Sequence, residues 1–116
     1  MKPLLIVDAA NVMGSTPEGW WRDRQAAAIG LRDKLSTLPD DIDIVLVVEG
    51  KAKNVKPISR VPVHSASGSG DDAIVDLVRA AGGREVTVVT ADRALRERVK
   101  ALGAQVQGPR SLFASG

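Results

Sequence analysis

Apolar and polar residues fall in blocks along the chain, and the blocks change period. Leu4-Leu5-Ile6-Val7 is an unbroken apolar run. It is too short for a helix and suits a buried parallel strand. The run ends on Asp8, and Asn11 and Gly14 follow within Ala9-Ala10-Asn11-Val12-Met13-Gly14. Ser15-Thr16-Pro17-Glu18 reads as a helix start, with Thr16 as N-cap and Pro17 in the first helical position. Trp21, Ala28, Leu31 and Leu35 recur at helical spacing and carry that helix to about Leu35. Residues 37–41 read as a loop. Ile42 to Val48 is a second buried strand, closed by Glu49-Gly50.

The second half repeats the alternation. Val61-Pro62-Val63-His64 is a short strand whose proline argues for a sheet edge. Ser65 to Gly70 is a glycine- and serine-rich loop. A helix follows from Asp71 to about Ala81, with Ile74, Leu77 and Val78 facing inward and Gly82-Gly83 ending it. Glu85 to Thr90 is a strand that leads into Ala91-Asp92. The spacing predicts another helix from Arg93 to Leu102, with Leu95, Val99 and Leu102 inward and Gly103 as its C-cap. Ala104-Gln105-Val106 is a last strand, and Leu112 and Phe113 tuck the tail back. The order β-α-β-β-α-β-α-β predicts one α/β domain over residues 1–116, a three-layer α/β/α sandwich around a mainly parallel sheet.

Composition narrows this reading. The 116 residues are 44% hydrophobic, and the aromatic residues are Trp20, Trp21 and Phe113 alone. The core is therefore built from Val, Leu, Ile and Ala, as in helix-covered parallel sheets. The two tryptophans read as packing residues before base-stacking ones. Without cysteine, disulfides, thiolate zinc sites and cysteine nucleophiles are excluded. No apolar run approaches a membrane span. Met1-Lys2-Pro3 leads into the first strand without a signal peptide, so a cytoplasmic protein with no membrane partner is expected. Net charge is only +2. The local distribution is more telling: residues 51–60 hold Lys51, Lys53, Lys56 and Arg60 with no acid among them.

Acids recur where strands end. Asp8 closes the first strand, Glu49 the second, Asp71 and Asp72 open the helix after the third, and Asp92 follows the fourth. In a parallel sheet these positions share the carboxyl edge, where ligands bind. Each has a plainer role available. Asp8 caps a turn; Asp71, Asp72 and Asp92 cap helices and complement their dipoles; Glu49 pairs with Lys51 or Lys53. Asp76, one turn after Asp72, suits the surface, and His64, the single histidine, suits strand-end packing. Together, however, the strand-end acids raise one another's pKa values, and a hard divalent cation offsets that repulsion.

The residues Val7-Asp8-Ala9-Ala10-Asn11-Val12, Ser69-Gly70-Asp71-Asp72-Ala73-Ile74 and Val88-Val89-Thr90-Ala91-Asp92-Arg93 resemble, in order and spacing, the motifs of the NYN subgroup of PIN-like nucleases. That family shows an Asp-x-x-Asn pair, an acidic pair opening a helix and a Thr/Ser-x-Asp-Arg-like turn. The resemblance covers nearly the whole chain and implies cleavage of RNA phosphodiesters with Mg²⁺ or Mn²⁺. Two positions depart from the pattern. Arg96 stands where many relatives carry a further acid, and Val48-Glu49 where relatives often show Phe-Asp.

On this reading Asp8, Asp71, Asp72 and Asp92, with Glu49 as an outer member, bind metal. The metal lowers the pKa of a bound water and screens the scissile phosphate. Asn11 orients the phosphate or a metal-bound water, and Thr90 adds a hydroxyl or merely packs. Lys51, Lys53, Lys56, Arg60 and Arg93 hold the RNA backbone without reading bases. The alternatives are a catalytically weak module that binds RNA or a protein, and a small-molecule phosphohydrolase. Against the latter, Asp8 is followed by Ala9-Ala10 and not by an Asp-x-Asp nucleophile motif, and Gly68-x-Gly70 lacks the lysine of a phosphate loop.

Overall fold

The computed structural model describes residues 2–14, 23–50 and 55–112. Thr16, Pro17, Trp20, Trp21, Lys51, Lys53 and Phe113 lie outside that set, as does the expected helix start. Five strands form one parallel sheet in the order β3-β2-β1-β4-β5. They are β1 (Leu4–Asp8), β2 (Asp43–Val48), β3 (Val63–Ser65), β4 (Val86–Val89) and β5 (Gln105–Gln107). The helices are α1 (Ala9–Gly14), α2 (Arg24–Leu35), α3 (Gly70–Ala80) and α4 (Arg93–Ala101), followed by a short 3-10 helix at Pro109–Ser111.

The expected α/β/α sandwich is present. Side chains alternate across a strand, so Leu5 and Val7 of β1 face α1 and α2, while Ile6 faces α3 and α4. The first layer packs Val12, Met13, Ala28, Leu31 and Leu35 on the sheet. The second packs Ile74, Val75, Val78, Leu95 and Val99. Handedness explains the division. The chain moves from β1 out to β2 and β3, then returns across the sheet to β4. Right-handed crossovers in opposite directions put their helices on opposite faces.

Local signals fit most elements. Asp23 caps α2, its Oδ1 accepting from the Ala26 N–H at 3.0 Å. Ser69 caps α3, its Oγ accepting from the Asp71 N–H at 3.1 Å. β3 lies at the edge, as Pro62 suggested, but begins after the proline, at Val63. Four details differ from expectation. α2 begins at Arg24, behind its non-helical cap Asp23, and so does not run unbroken from Pro17 to Leu35. α1 is an additional helix formed directly after β1. On α3, Val75 is buried while Leu77 is only partly so. Leu102 is 41% exposed, not inward. α4 ends at Ala101, and Gly103, at φ +91°, turns the chain so that Ala104 N–H bonds Val99 O; Leu102 is thereby carried off the buried face.

Leu95 is fully buried at the centre of the second layer. Leu95→Ala should therefore cost about 2–5 kcal/mol in urea denaturation. Leu102→Ala should stay within about 0.5 kcal/mol of the parent protein. Equal losses at the two positions would refute this placement of α4.

Candidate functional site

The carboxyl ends of β1 and β4 meet where the chain reverses its direction across the sheet. Val7 pairs with Val89, so Asp8 stands opposite Thr90. Both are buried, Asp8 to 6% exposure and Thr90 completely. The Thr90 hydroxyl donates to Asp8 Oδ2 at 2.9 Å. The Asn11 amide donates to the same oxygen at 2.7 Å. Asn11 reaches back because α1 starts at once after Asp8, which places a residue three positions on above the strand end. Its Oδ1 accepts from the Ala91 N–H at 3.3 Å, and Thr90 Oγ1 accepts from the Asp92 N–H at 3.1 Å. The network joins β1, α1 and the turn after β4. Thr90, for which strand packing was the simpler expectation, is a full member of it.

Burial pushes the Asp8 carboxyl pKa upward. Hydrogen bonds from Thr90 and from the Asn11 side chain and backbone pull the other way, and Glu49 adds to the rise. Asp71 is also raised, first by desolvation, then by the charges of Asp92, Asp8 and Glu49, with Arg98 opposing. Asp71 thus lies within electrostatic reach of the other three carboxylates, and Asp8 of Glu49, although the four arrive from four separate parts of the chain.

Three of the four are tied to helix N-termini. Asp8 accepts from the Asn11 backbone N–H in α1. Glu49 accepts from the Gly70 N–H that begins α3. Asp92 Oδ1 accepts from the Leu95 N–H in α4 at 3.0 Å. Gly70 permits the Glu49 contact, since a Cβ there would sit 3.0 Å from Glu49 Oε2. The capping role expected of Asp92 is real and coexists with membership of the cluster. Glu49 is engaged by α3 backbone; Lys51 and Lys53, its suggested partners, lie outside the described residues.

Asp71 and Asp72 separate. Asp71 continues the buried stripe of α3 at i, i+3, i+4 and i+7 with Ile74, Val75 and Val78. Asp72 is turned outward and pairs with Arg98 of α4 at 3.0 Å. Arg98 escaped the sequence reading because contact between two helices leaves no periodic signal. Asp76 is exposed and lines an open groove with His64, Ser67 and Ser69 beside β3.

Of the cations expected to hold the RNA backbone, Arg60 is placed away from the rim, and Lys51 and Lys53 lie outside the described residues. The Arg60 guanidinium donates to the carbonyls of Ile42 at 2.9 Å and Leu38 at 3.2 Å, and also to that of Pro39. These mark the start of β2, the edge opposite the acids, so Arg60 fastens a loop and is withdrawn from the rim. Lys56 is exposed, and its carbonyl accepts from Arg32 at 2.8 Å. Arg93 is exposed at the first turn of α4, beside Asp92.

Among the described residues, no three His, Asp or Glu side chains are close enough to enclose a metal ion. The donor set is nevertheless hard oxygen with excess negative charge. It fits Mg²⁺ or Mn²⁺ held by one or two carboxylates and otherwise by water, and does not fit a closed cage.

Solved structures with the same fold exist. Rae1 (YacP) from Bacillus subtilis is similar with a TM-score of 0.77 at 22% identity, over 95% of this chain and 71% of that one. Its W164L mutant gives 0.80 at 21% identity, over 97% and 73%. The chain shares its α/β/α fold with these structures. No family model matches the sequence, nor does any curated protein. No helix among the described residues is long and apolar enough to cross a membrane.

Thr90→Val removes a donor from a buried carboxylate and should cost about 1–3 kcal/mol in urea denaturation, with Thr90→Ser recovering most of it. For Asp71 the folded pKa is raised. Its stabilising contribution is complete below the ordinary value of 3.8 and is lost as pH rises through the raised one. Asp71→Asn should accordingly raise the melting temperature of the metal-free protein at neutral pH, by a margin that shrinks as pH falls toward about 4. A lower melting temperature at neutral pH would count against the clustered charges.

Proposed function

We propose that this chain is a metal-dependent nuclease of the NYN type, most simply an endoribonuclease acting on RNA phosphodiesters in the cytoplasm. The observation that carries the reading is the convergence of Asp8, Glu49 and Asp92 on Asp71 at the reversal point of a PIN-like sheet, beside the buried Asp8–Asn11–Thr90 network. Such switch points are where open α/β sheets bind ligands. Carboxyls pushed upward by burial and by one another are the environment expected of a functional site.

Asp8, Asp71 and Asp92 would hold Mg²⁺ or Mn²⁺, with Glu49 as an outer contributor. A bound ion supplies an acidified water and charge screening for the phosphate. The protein's own groups do the positioning. Thr90 and Asn11 fix the Asp8 carboxylate through Oδ2. Asn11 itself is fixed through Ala91, so a neutral amide stands beside the acids without adding charge. Asp92 is fixed by its cap on α4. Asp71, raised by desolvation and by the charges of Asp92, Asp8 and Glu49, is the carboxyl whose ionised form gains most from a neighbouring cation. Asp72, already paired with Arg98, has a supporting place outside the first set of ligands.

A second reading is a module that binds RNA or a protein without cutting. It is favoured by the lack of three closely spaced ligating side chains among the described residues.

Labelled single-stranded and structured RNA, incubated with Mg²⁺, Mn²⁺ or EDTA, separates the two. Cleavage should require the metal and fall on the order of 100-fold or more in Asp8→Asn and in Asp92→Asn, as when a positioned catalytic group is removed. Turnover that persists in EDTA would refute the metal mechanism. RNA retention without turnover under any metal would establish the binding module.

A further inference from the structure

α4 carries Arg93, Arg96, Arg98 and Lys100 against a single acid, Glu97. These cations do not share one face. Leu95 and Val99 define the buried side. At 3.6 residues per turn, Arg98 falls on the flank toward α3, where it meets Asp72. Arg93, Arg96 and Lys100, at i, i+3 and i+7, fall together on the other flank, with Glu97 at its outer margin.

Several other arginines are already engaged. Arg32 and Arg84 are in ion pairs, as is Arg98, and Arg60 is taken up by backbone carbonyls. Arg93, Arg96 and Lys100 have no ion-pair partner among the described residues. Arg93 and Lys100 are exposed. Arg96 is half-buried, and its Nε is shut off from solvent with no hydrogen-bond partner among the described residues. The stripe begins next to Asp92 and descends α4 for about 10 Å, seven residues at the helical rise.

We propose that the phosphodiester backbone of an RNA strand leaves the carboxylate rim along this flank of α4, held by Arg93, Arg96 and Lys100. The proposal rests on the nuclease reading of the rim. Arg96 is the anchor. Its stem is immobilised by packing one turn from Asp92, and its planar fork matches a phosphate. Arg93 and Lys100 extend the track on either side. Contacts of this kind hold a strand without reading its bases, in keeping with a chain whose aromatic residues are Trp20, Trp21 and Phe113 alone.

The test is binding in EDTA, which needs no cleavage. Fluorescence anisotropy with an end-labelled single-stranded RNA of mixed sequence is followed across a salt series. Removing three phosphate contacts lowers the slope of log K against log salt by about 2 for a single strand. Between about 50 and 200 mM salt, the wild-type protein should therefore lose about 20-fold more affinity than the Arg93→Gln, Arg96→Gln, Lys100→Gln variant. A charge-conserving variant with Arg93→Lys and Arg96→Lys should keep most of the wild-type slope, separating lost charge from damage to the helix. An unchanged slope in the glutamine variant, or no RNA binding by the wild-type protein, overturns the proposal. If the slope shifts as expected but Mg²⁺ never yields cleavage, the track stands and only the nuclease reading fails.

Discussion

The buried carboxylate of Asp8 is the constraint on which the rest of the site depends. A charge at 6% exposure must be met by hydrogen bonds or it unfolds the region around it. Its donors come from Asn11 in α1 and Thr90 at the end of β4. They converge only when β1 and β4 pair in the observed register, Val7 against Val89. Sheet alignment and site assembly are therefore one event. The compensation is incomplete, because desolvation still dominates and the carboxyl remains shifted upward. The cost is kept at one place, in an otherwise apolar core.

Charge is divided between the two ends of the sheet. At the amino ends of the strands, Arg84 bonds Asp43 at 2.6 Å and the Lys2 carbonyl, while Arg60 collects carbonyls before β2. These cations are occupied in holding the strand starts. At the carboxyl ends the acids gather, and the helix N-termini there carry partial positive charge that favours them. The topology makes this separation unavoidable, since every helix entering from a parallel strand begins at the carboxyl edge.

Much of this was legible in the sequence. Unbroken apolar runs marked the strands, and the acids at their ends marked the rim, because in a parallel sheet sequence position and spatial edge are locked together. Other features carried weaker signals. α1 is six residues long and opens without an intervening loop, so it was hidden in the stretch after Asp8. The choice between Asp71 and Asp72 was encoded, since only Asp71 is in phase with Ile74, Val75 and Val78. Arg60 was unreadable as a structural residue. Its partners lie 18 to 22 residues away and are backbone carbonyls, which no side-chain pattern reports. The pairing of Asp72 with Arg98, 26 residues on, was hidden for a similar reason.

The four clustered acids are not equivalent, and the difference says where the charge of the rim is least balanced. Asp8, Glu49 and Asp92 each accept a backbone N–H from the start of a different helix, α1, α3 and α4. Each has part of its charge offset and its orientation set. Asp71 faces Asp92, Asp8 and Glu49, and the one positive charge acting on it, Arg98, is shared with Asp72. The unbalanced charge of the rim is thus concentrated around Asp71, in front of three acids that are already aimed and held.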